Sequence, residues 1–217
     1  MEYFDIQDDM LAYERVRWEA GMRFVAGIDE AGRGPLAGPV VVAAVIFTDR
    51  SKIPRVNDSK QLSATKREKM RTEILASPGV LYAVKEISPE VIDERNILQA
   101  TYLGMRTAAS SFPDIDFALI DGLPVPSFPV PCESVVKGDA KSASIAAASI
   151  LAKTHRDAIM KKYAEQYPEY GFERNSGYGT AEHLEALKEF GPTPVHRKSF
   201  APVRNVISPP PEQLELF

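Results

Sequence analysis

Two adjacent acidic residues, Asp29 and Glu30, follow the apolar run 24–28 and lead into the turn Gly32-Arg33-Gly34. Carboxylates at the point where a buried strand surfaces are costly to desolvate unless a cation pairs with them. The glycines expose backbone N–H groups with little side-chain obstruction, which suits an anionic or polar ligand. The stretch therefore predicts a metal on one side and a phosphate or a sugar on the other.

Two further acids stand at similar places in the chain. Asp121 ends the apolar run 117–120 and precedes a glycine, and Asp139 follows Gly138 at the start of a predicted long helix. Converging carboxylates repel one another, and hard oxygen ligands select Mg²⁺ or Mn²⁺ over zinc. Two such ions about 4 Å apart would stabilise the attacking and leaving oxygens of a phosphodiester hydrolysis. For any one of these acids alone, a helix cap or a turn is an equally good interpretation.

Strand geometry limits how the first pair can act. Neighbouring side chains on a strand point to opposite faces, so Asp29 and Glu30 reach one metal together only if the strand curls. We therefore expect Asp29 to be the bridging ligand. Glu30 would contribute its backbone carbonyl or act through water.

Composition restricts the class of protein. The 217 residues are 44% hydrophobic, which is typical of one sizeable globular α/β domain with a smaller appendage. No apolar run approaches the roughly 20 residues of a membrane span, and residues 1–5 lack a secretory signal, so we expect a soluble cytoplasmic protein. The single Cys132 excludes an internal disulfide, and three scattered histidines argue against a zinc cluster. A net charge of −4 means that nucleic acid would have to bind through local basic groups and bound cations.

Periodicity and turn residues predict the elements that position these acids. They indicate strands at 24–29, 40–47, 80–87, 117–122 and 133–136, and helices at 8–20, 63–76, from 88, 96–110 and 142–163. This order predicts an α/β fold with a mixed sheet flanked by helices. We expect a catalytic domain over 1–163, a helical and loop cap over 164–207 and a flexible tail over 208–217.

Several long motifs, taken together and in this order, resemble those of bacterial ribonuclease HII. They lie at 27–41, 57–62, 120–122, 137–139, 144–150, 176–180 and 196–200. The resemblance covers about residues 24–203. It implies a ribonuclease H-like fold and metal-dependent endonucleolytic cleavage of the RNA strand of RNA–DNA hybrids. It also implies cleavage on the 5′ side of single ribonucleotides in duplex DNA, which leaves 3′-hydroxyl and 5′-phosphate ends and serves replication and repair.

The resemblance also implies roles for particular residues. The catalytic and metal-binding set would be Asp29, Glu30, Asp121 and Asp139. The ribose 2′-hydroxyl, which distinguishes RNA from DNA, would be read by Gly32, Arg33 and Gly34. Tyr178 would sense the RNA-to-DNA junction, although an aromatic residue packed in the cap is the plainer alternative.

Basic residues near these motifs are candidates for phosphate contacts. Lys60, Arg33 and Lys137 would position a nucleic acid without reading its sequence. Solvated surface lysines are the commoner case, above all for Lys137.

The C-terminal residues suggest a partner. The stretch Gln213, Leu214, Glu215, Leu216 and Phe217 resembles the short motif by which bacterial replication and repair proteins bind the sliding clamp. Three preceding prolines would hold it away from the body, and alternating apolar anchors suit a groove. A disordered tail with accidental leucines is the alternative. We expect the protein to be a monomer.

Two rival functions fit less well. Residues 32–37 match a loose dinucleotide fingerprint, but a strand follows where that fingerprint requires a helix, and no P-loop motif occurs. A module that binds RNA–DNA junctions without cutting would gain affinity by replacing the clustered carboxylates with lysines.

Overall fold

The centre of the fold is a five-stranded mixed sheet, seen in a computed structural model that describes residues 10–54, 56 and 63–209. Its strands are β1 (Val25–Ala31), β2 (Val40–Phe47), β3 (Val80–Ile87), β4 (Phe117–Asp121) and β5 (Cys132–Val135). The spatial order is β3-β2-β1-β4-β5. Strand β2 pairs antiparallel with β1 and β3, whereas β1–β4 and β4–β5 are parallel. The predicted mixed α/β sheet is confirmed.

Eight α-helices flank this sheet in the described part of the chain. They are α1 (Ala12–Glu19), α2 (Ala64–Ala76), α3 (Pro89–Arg95), α4 (Ile97–Ala109), α5 (Ala143–Gln166), α6 (Phe172–Asn175), α7 (Ala181–Phe190) and α8 (Ala201–Ile207). Hydroxyl side chains at Ser63, Ser142 and Thr180 cap α2, α5 and α7 by accepting a backbone N–H three residues on. Pro89 occupies the first turn of α3, where its missing N–H is harmless. None of these helices is both long enough and apolar enough to cross a lipid bilayer.

The two faces of the sheet are covered by different helices. Val41, Ala43 and Val45 belong to the core that includes the small residues of α5, and Val42 and Ala44 belong to the core that includes α4. This alternation follows from the two-residue period of a strand. Because both faces are covered, every residue of β2 is buried.

Gly27 allows α5 to approach β1 closely. A Cβ at this position would lie well inside 3.0 Å of two backbone atoms, Ile145 N and Ser144 C. Only glycine leaves room for this contact. This contact holds the N-terminal turn of α5 against Gly27, which is two residues before Asp29 in β1.

Helix α1 buries Trp18 in the apolar core and also buries an acid. Val16 is 56% exposed, whereas the carboxylate of Glu14 is fully buried. Glu14 Oε1 accepts hydrogen bonds from Ser142 Oγ (2.6 Å), Ser144 N (2.9 Å) and Ser144 Oγ (2.6 Å). An acid at the N-terminus of α5 satisfies donors that the helix itself leaves unpaired, so this contact rather than Val16 sets the orientation of α1.

The segment 168–207 covers the loop between β1 and β2. Leu36 N donates to Gly177 O (2.7 Å), Gly38 N donates to Val195 O (2.8 Å), and Ala37 forms a bridge with His196. An apolar cluster joins Ala37 to the aromatic residues of the segment. The loop is thus held between the sheet and the C-terminal helices.

Candidate active site

Parallel pairing places two of the predicted acids side by side. The register of β1 with β4 ends at Ile28 opposite Ile120, so Asp29 and Asp121 follow at the same level. Both line a cavity of about 370 Å³ at this edge of the sheet. Glu30 lines the same cavity although it neighbours Asp29 on the strand. The structure therefore brings three acids together at one sheet edge.

The acids interact electrostatically. Burial raises the pKa of Asp29 well above its ordinary value, and the carboxylates of Glu30 and Asp121 raise it further. The Ser149 hydroxyl and the Glu30 N–H, which donates to Asp29 Oδ1 at 2.7 Å, act in the opposite direction. Burial also raises the pKa of Glu30, against the opposing effect of Arg33. The ionised forms of these acids therefore need a compensating cation.

The donor chemistry of the site fits a hard divalent cation. Glu30 Oε1 contacts Arg33 at 3.3 Å, but Glu30 Oε2 is buried and has no hydrogen-bond partner among the described residues. Carboxylate oxygens that face one another are the ligands that Mg²⁺ and Mn²⁺ prefer. Within the described ranges, no three Asp, Glu, His or Cys side chains form a preassembled metal cluster. Mutual repulsion of the carboxylates is one physical reason for such an open arrangement.

The fourth predicted acid lies beside this group but does not line the cavity. Asp121 Oδ1 accepts a hydrogen bond from Gly138 N (2.6 Å), at the start of the 3₁₀ turn Gly138–Ala140. Asp139 follows in that turn and is buried, with only 2% of its surface exposed. Lys137, which precedes the turn, has a left-handed backbone and is also absent from the cavity wall.

The loop of residues 32–39, here called the glycine-arginine loop, contributes Gly32, Arg33 and Gly34 to the lining of the same cavity. Gly32 has a φ of +95°, and a Cβ there would collide with the Arg156 side chain. A Cβ on Gly34 would stand 3.4 Å from Cε1 of Tyr178. Tyr178 is 48% exposed, and its ring lines the cavity. The predicted sugar-reading residues and the predicted junction sensor therefore lie next to each other in the cavity lining.

Two buried arginines hold this loop through its carbonyls. Arg197 donates to the carbonyls of Gly38 (2.9 Å), Arg33 (2.9 Å) and Gly32 (2.5 Å). Arg156 donates to the carbonyls of Pro39, Ala37 and Ser176, each at 3.0 Å. Burial lowers the pKa of both guanidinium groups, that of Arg197 to about 9. Neither forms a salt bridge with a described carboxylate, so backbone dipoles supply their hydrogen-bond acceptors.

Sequence reasoning gave no role to several residues of the cavity wall. Ser149, Lys153 and Arg156 lie on one face of α5, and Arg67 comes from α2. Their spacing of four and three residues is that of a single helix face, which was available in the sequence. Which face α5 presents depends on its contact with β1, and that contact is a tertiary feature.

Other predicted residues lie outside the described part of the chain. These are the phosphate-contact candidate Lys60 and the tail residues Gln213, Leu214, Leu216 and Phe217. Their predicted roles remain predictions.

Comparison with known proteins agrees with this architecture. The sequence model of the family described as Ribonuclease HII matches residues 26–203. The Ribonuclease HII of Rhodospirillum rubrum is 54% identical over 189 residues, which span 85% of this chain and 87% of that protein. The Ribonuclease HII of Chlamydia pneumoniae is 50% identical over 198 residues, which span 91% of this chain and 92% of that protein.

Two solved structures share the fold. The ribonuclease H2 from Pyrococcus horikoshii OT3 matches with a TM-score of 0.72 at 28% identity, covering 84% of this chain and 96% of that one. The RNase HII in a complex with PCNA from Archaeoglobus fulgidus matches with a TM-score of 0.70 at 29% identity, covering 80% and 93%. The chain therefore belongs to the ribonuclease HII family and is an endoribonuclease of the ribonuclease H type.

Proposed function

We propose that this enzyme hydrolyses the RNA strand of RNA–DNA hybrids and also cuts on the 5′ side of single ribonucleotides embedded in duplex DNA. The products would carry a 3′-hydroxyl and a 5′-phosphate. The enzyme would act in the cytoplasm and remove ribonucleotides from DNA during replication and repair. The observation that carries this proposal is that three acids line the same cavity as the glycine-arginine loop and Tyr178.

The acids would hold the cation on which cleavage depends. Asp29, Glu30 and Asp121, which line the cavity, would supply oxygen ligands. We assign Asp139 to the same set because it follows Gly138, whose N–H donates to Asp121. With substrate bound, two Mg²⁺ or Mn²⁺ ions would stabilise the charge that develops on the attacking and leaving oxygens. Ser149 keeps Asp29 oriented through a hydrogen bond to its carboxylate.

The glycine-arginine loop and Tyr178 would distinguish ribose from deoxyribose. Gly32 and Gly34 let the backbone approach a sugar closely, and a 2′-hydroxyl both donates and accepts hydrogen bonds. Arg33 is half exposed beside Glu30 and can reach a phosphate next to the reacting one. The Tyr178 ring lies next to Gly34, within van der Waals contact of the point that a Cβ there would occupy. It can stack on the sugar or base that follows the ribonucleotide.

Basic side chains at the rim would position the nucleic acid. Arg67 and Lys153 line the cavity, and we assign Lys60 the same task on the basis of the sequence. Contacts of this kind fix the duplex without reading its sequence, so cleavage should not depend on the bases around the ribonucleotide.

Digestion of a DNA duplex that contains one ribonucleotide tests the proposal. With Mg²⁺ or Mn²⁺ we expect one cut on the 5′ side of the ribonucleotide, and with chelator no cut. Cleavage on the 3′ side, or a gel shift without cleavage in the presence of metal, would refute it.

Tyr178→Ala should weaken cutting at a single ribonucleotide more than cutting of a long RNA tract, whereas equal losses would remove its junction role.

We also propose that residues 213–217 bind the bacterial sliding clamp. The support is the motif itself and a structural relative that was solved as a PCNA:RNase HII complex. Deletion of 213–217 should abolish capture of the enzyme by the immobilised clamp and leave cleavage of short duplexes unchanged. Undiminished capture by the clamp would refute this second proposal.

A further inference from the structure

Two buried histidines lie within hydrogen-bond distance of each other, and one of them also contacts the backbone of Tyr178. His183 lies on α7 and His196 precedes Arg197, and both are at most 1% exposed. Their Nε2 atoms are 3.0 Å apart. His183 Nδ1 lies 2.9 Å from the carbonyl oxygen of Tyr178, and His196 Nδ1 lies 3.0 Å from Thr193 N. The contacts form a continuous chain from Thr193 to Tyr178.

The backbone fixes the direction of every hydrogen bond in this chain. Thr193 N can only donate, so His196 Nδ1 must be unprotonated and accept, and the Thr193 hydroxyl, whose Oγ1 lies 2.9 Å from the same nitrogen, can then act only as a second donor. A neutral His196 then carries its proton on Nε2 and donates to His183 Nε2. A neutral His183 must carry its proton on Nδ1, where the Tyr178 carbonyl can only accept. Each histidine therefore has one permitted tautomer, provided that both are neutral.

The surroundings keep both rings neutral. Burial lowers the pKa of His183 and lowers that of His196 to about 4, and the neighbouring ring adds to the second shift. The rings also contact Tyr170, whose ring centroid is 4.9 Å from that of His196, and Phe172, 5.3 Å from that of His183.

We propose that His183 and His196 are positioning residues for Tyr178, acting through this one-directional hydrogen-bond relay. The relay anchors the carbonyl oxygen of Tyr178. The Tyr178 N–H is held separately, because it donates to Asn175 O at 2.9 Å. The other end of the relay lies next to Arg197, which holds the carbonyls of Gly32 and Arg33. Tyr178 and the glycine-arginine loop are thereby kept in one fixed relation. The inference deepens the proposed function and rests on it for the role of Tyr178.

The tautomers can be observed directly in the full-length protein. In ¹⁵N-labelled enzyme at neutral pH, long-range ¹H–¹⁵N correlation should show His183 protonated on Nδ1 alone and His196 protonated on Nε2 alone. His155, whose side chain is partly exposed and contacts Glu86, serves as the internal reference. Protonation of His183 on Nε2, or of His196 on Nδ1, would overturn the relay whatever the enzyme cleaves.

Two substitutions of His183 separate positioning from packing. His183→Asn places an amide N–H where Nδ1 was and keeps the donor to the Tyr178 carbonyl, although it removes the acceptor of His196 Nε2, so it tests the last hydrogen bond of the relay by itself. His183→Gln reaches the Nε2 position instead and removes that donor. With one hydrogen bond lost from the positioned loop, we expect His183→Gln to lose about tenfold in kcat/KM at a single ribonucleotide. His183→Asn should stay within about threefold of the wild type, and both variants should cut long RNA tracts similarly.

Equal losses in the two variants, or equal losses on both substrates, would show that the histidines act only on stability and would overturn the proposal. Thermal unfolding of both variants measures their stability. It identifies any loss of cleavage activity that only follows a loss of stability. If the wild type cuts neither substrate, the proposed function fails, and the observed tautomers still decide whether the relay exists.

Discussion

At the scale of single residues, the site is defined by acids that disfavour one another. Asp29, Glu30 and Asp121 face one cavity, and the pKa of Asp29 is raised by burial and by both neighbours. Without a bound cation, burial and mutual repulsion of the ionised acids destabilise the folded protein. Such a conflict between stability and geometry is typical of residues retained for chemistry.

Replacement of Asp29 should separate chemistry from folding. We expect Asp29→Asn to reduce cleavage at least about a hundredfold, because even groups that merely support a metal ligand contribute tenfold to a hundredfold. Binding of the duplex should persist, since the variant repels phosphate less. In chelator, its unfolding temperature should equal or exceed that of the wild type.

The exposed Asp114→Asn is the matched control for this change, and it should leave cleavage and stability unaltered. Full cleavage activity in Asp29→Asn would contradict the assignment of Asp29 to the site.

The buried histidines predict a pH dependence of stability. The pKa of His196 falls from its ordinary 6.5 to about 4 on folding. Between these values the unfolded chain binds a proton that the folded chain does not, so stability is complete above about pH 6.5 and falls as the pH decreases. Of the titratable groups nearby, Tyr170 stays neutral, and Glu182 is paired with Arg174. Replacement of His196 should flatten this part of the stability curve.

Urea unfolding at pH 7, 6 and 5 measures this dependence. The wild type should lose up to about 1.4 kcal/mol per pH unit for each such histidine, and His196→Asn should lose less. His155→Gln, which alters a surface histidine, should keep the wild-type slope. Parallel curves for wild type and His196→Asn would contradict the buried neutral state.

At the scale of elements, the contact between β1 and α5 decides where the proposed catalytic groups lie. Strands were predictable from β-branched runs bounded by glycine and proline, as in β2, or from alternating apolar and polar residues, as in β3. The face that α5 presents was not predictable, since its alanines allow close approach on any side. Gly27 selects that face, because only there can the helix backbone reach the strand.

Gly27→Ala should therefore separate α5 from the sheet. Because the added Cβ would meet backbone rather than a flexible side chain, we expect a loss of at least about 3 kcal/mol in the free energy of unfolding, together with loss of cleavage. Gly21→Ala is a control for backbone strain alone, with a φ of +91° and open space around it. That control should lose only about 1 kcal/mol and keep its activity. A similar small loss in both variants would contradict the close contact.

At the scale of the whole molecule, the site joins distant parts of the chain. The glycine-arginine loop follows β1, yet Arg156 of α5 and Arg197 near the C-terminus hold its carbonyls. The sequence predicted both the acids and the loop, because glycine and carboxylate patterns are local. It did not predict these arginine contacts or the meeting of His183 with His196, because burial of a polar residue depends on what packs over it.

Arg197→Lys tests this long-range support. Lysine keeps a positive charge but cannot bind three carbonyls with a planar fork. We expect a loss of about 2 kcal/mol in the free energy of unfolding, from buried carbonyls left unpaired, and weaker discrimination between ribose and deoxyribose. Chemical denaturation and cleavage of matched duplexes measure the two effects. Wild-type values for both would show that the loop does not depend on Arg197.

The central claim is that acids from different strands share one divalent cation. Calorimetric titration of Mn²⁺ into the wild type, Asp29→Asn and Asp121→Asn tests it most directly. Each single substitution should weaken Mn²⁺ binding at least about tenfold, because each removes one oxygen ligand from a common ion. Wild-type affinity for Mn²⁺ in both variants would contradict the claim.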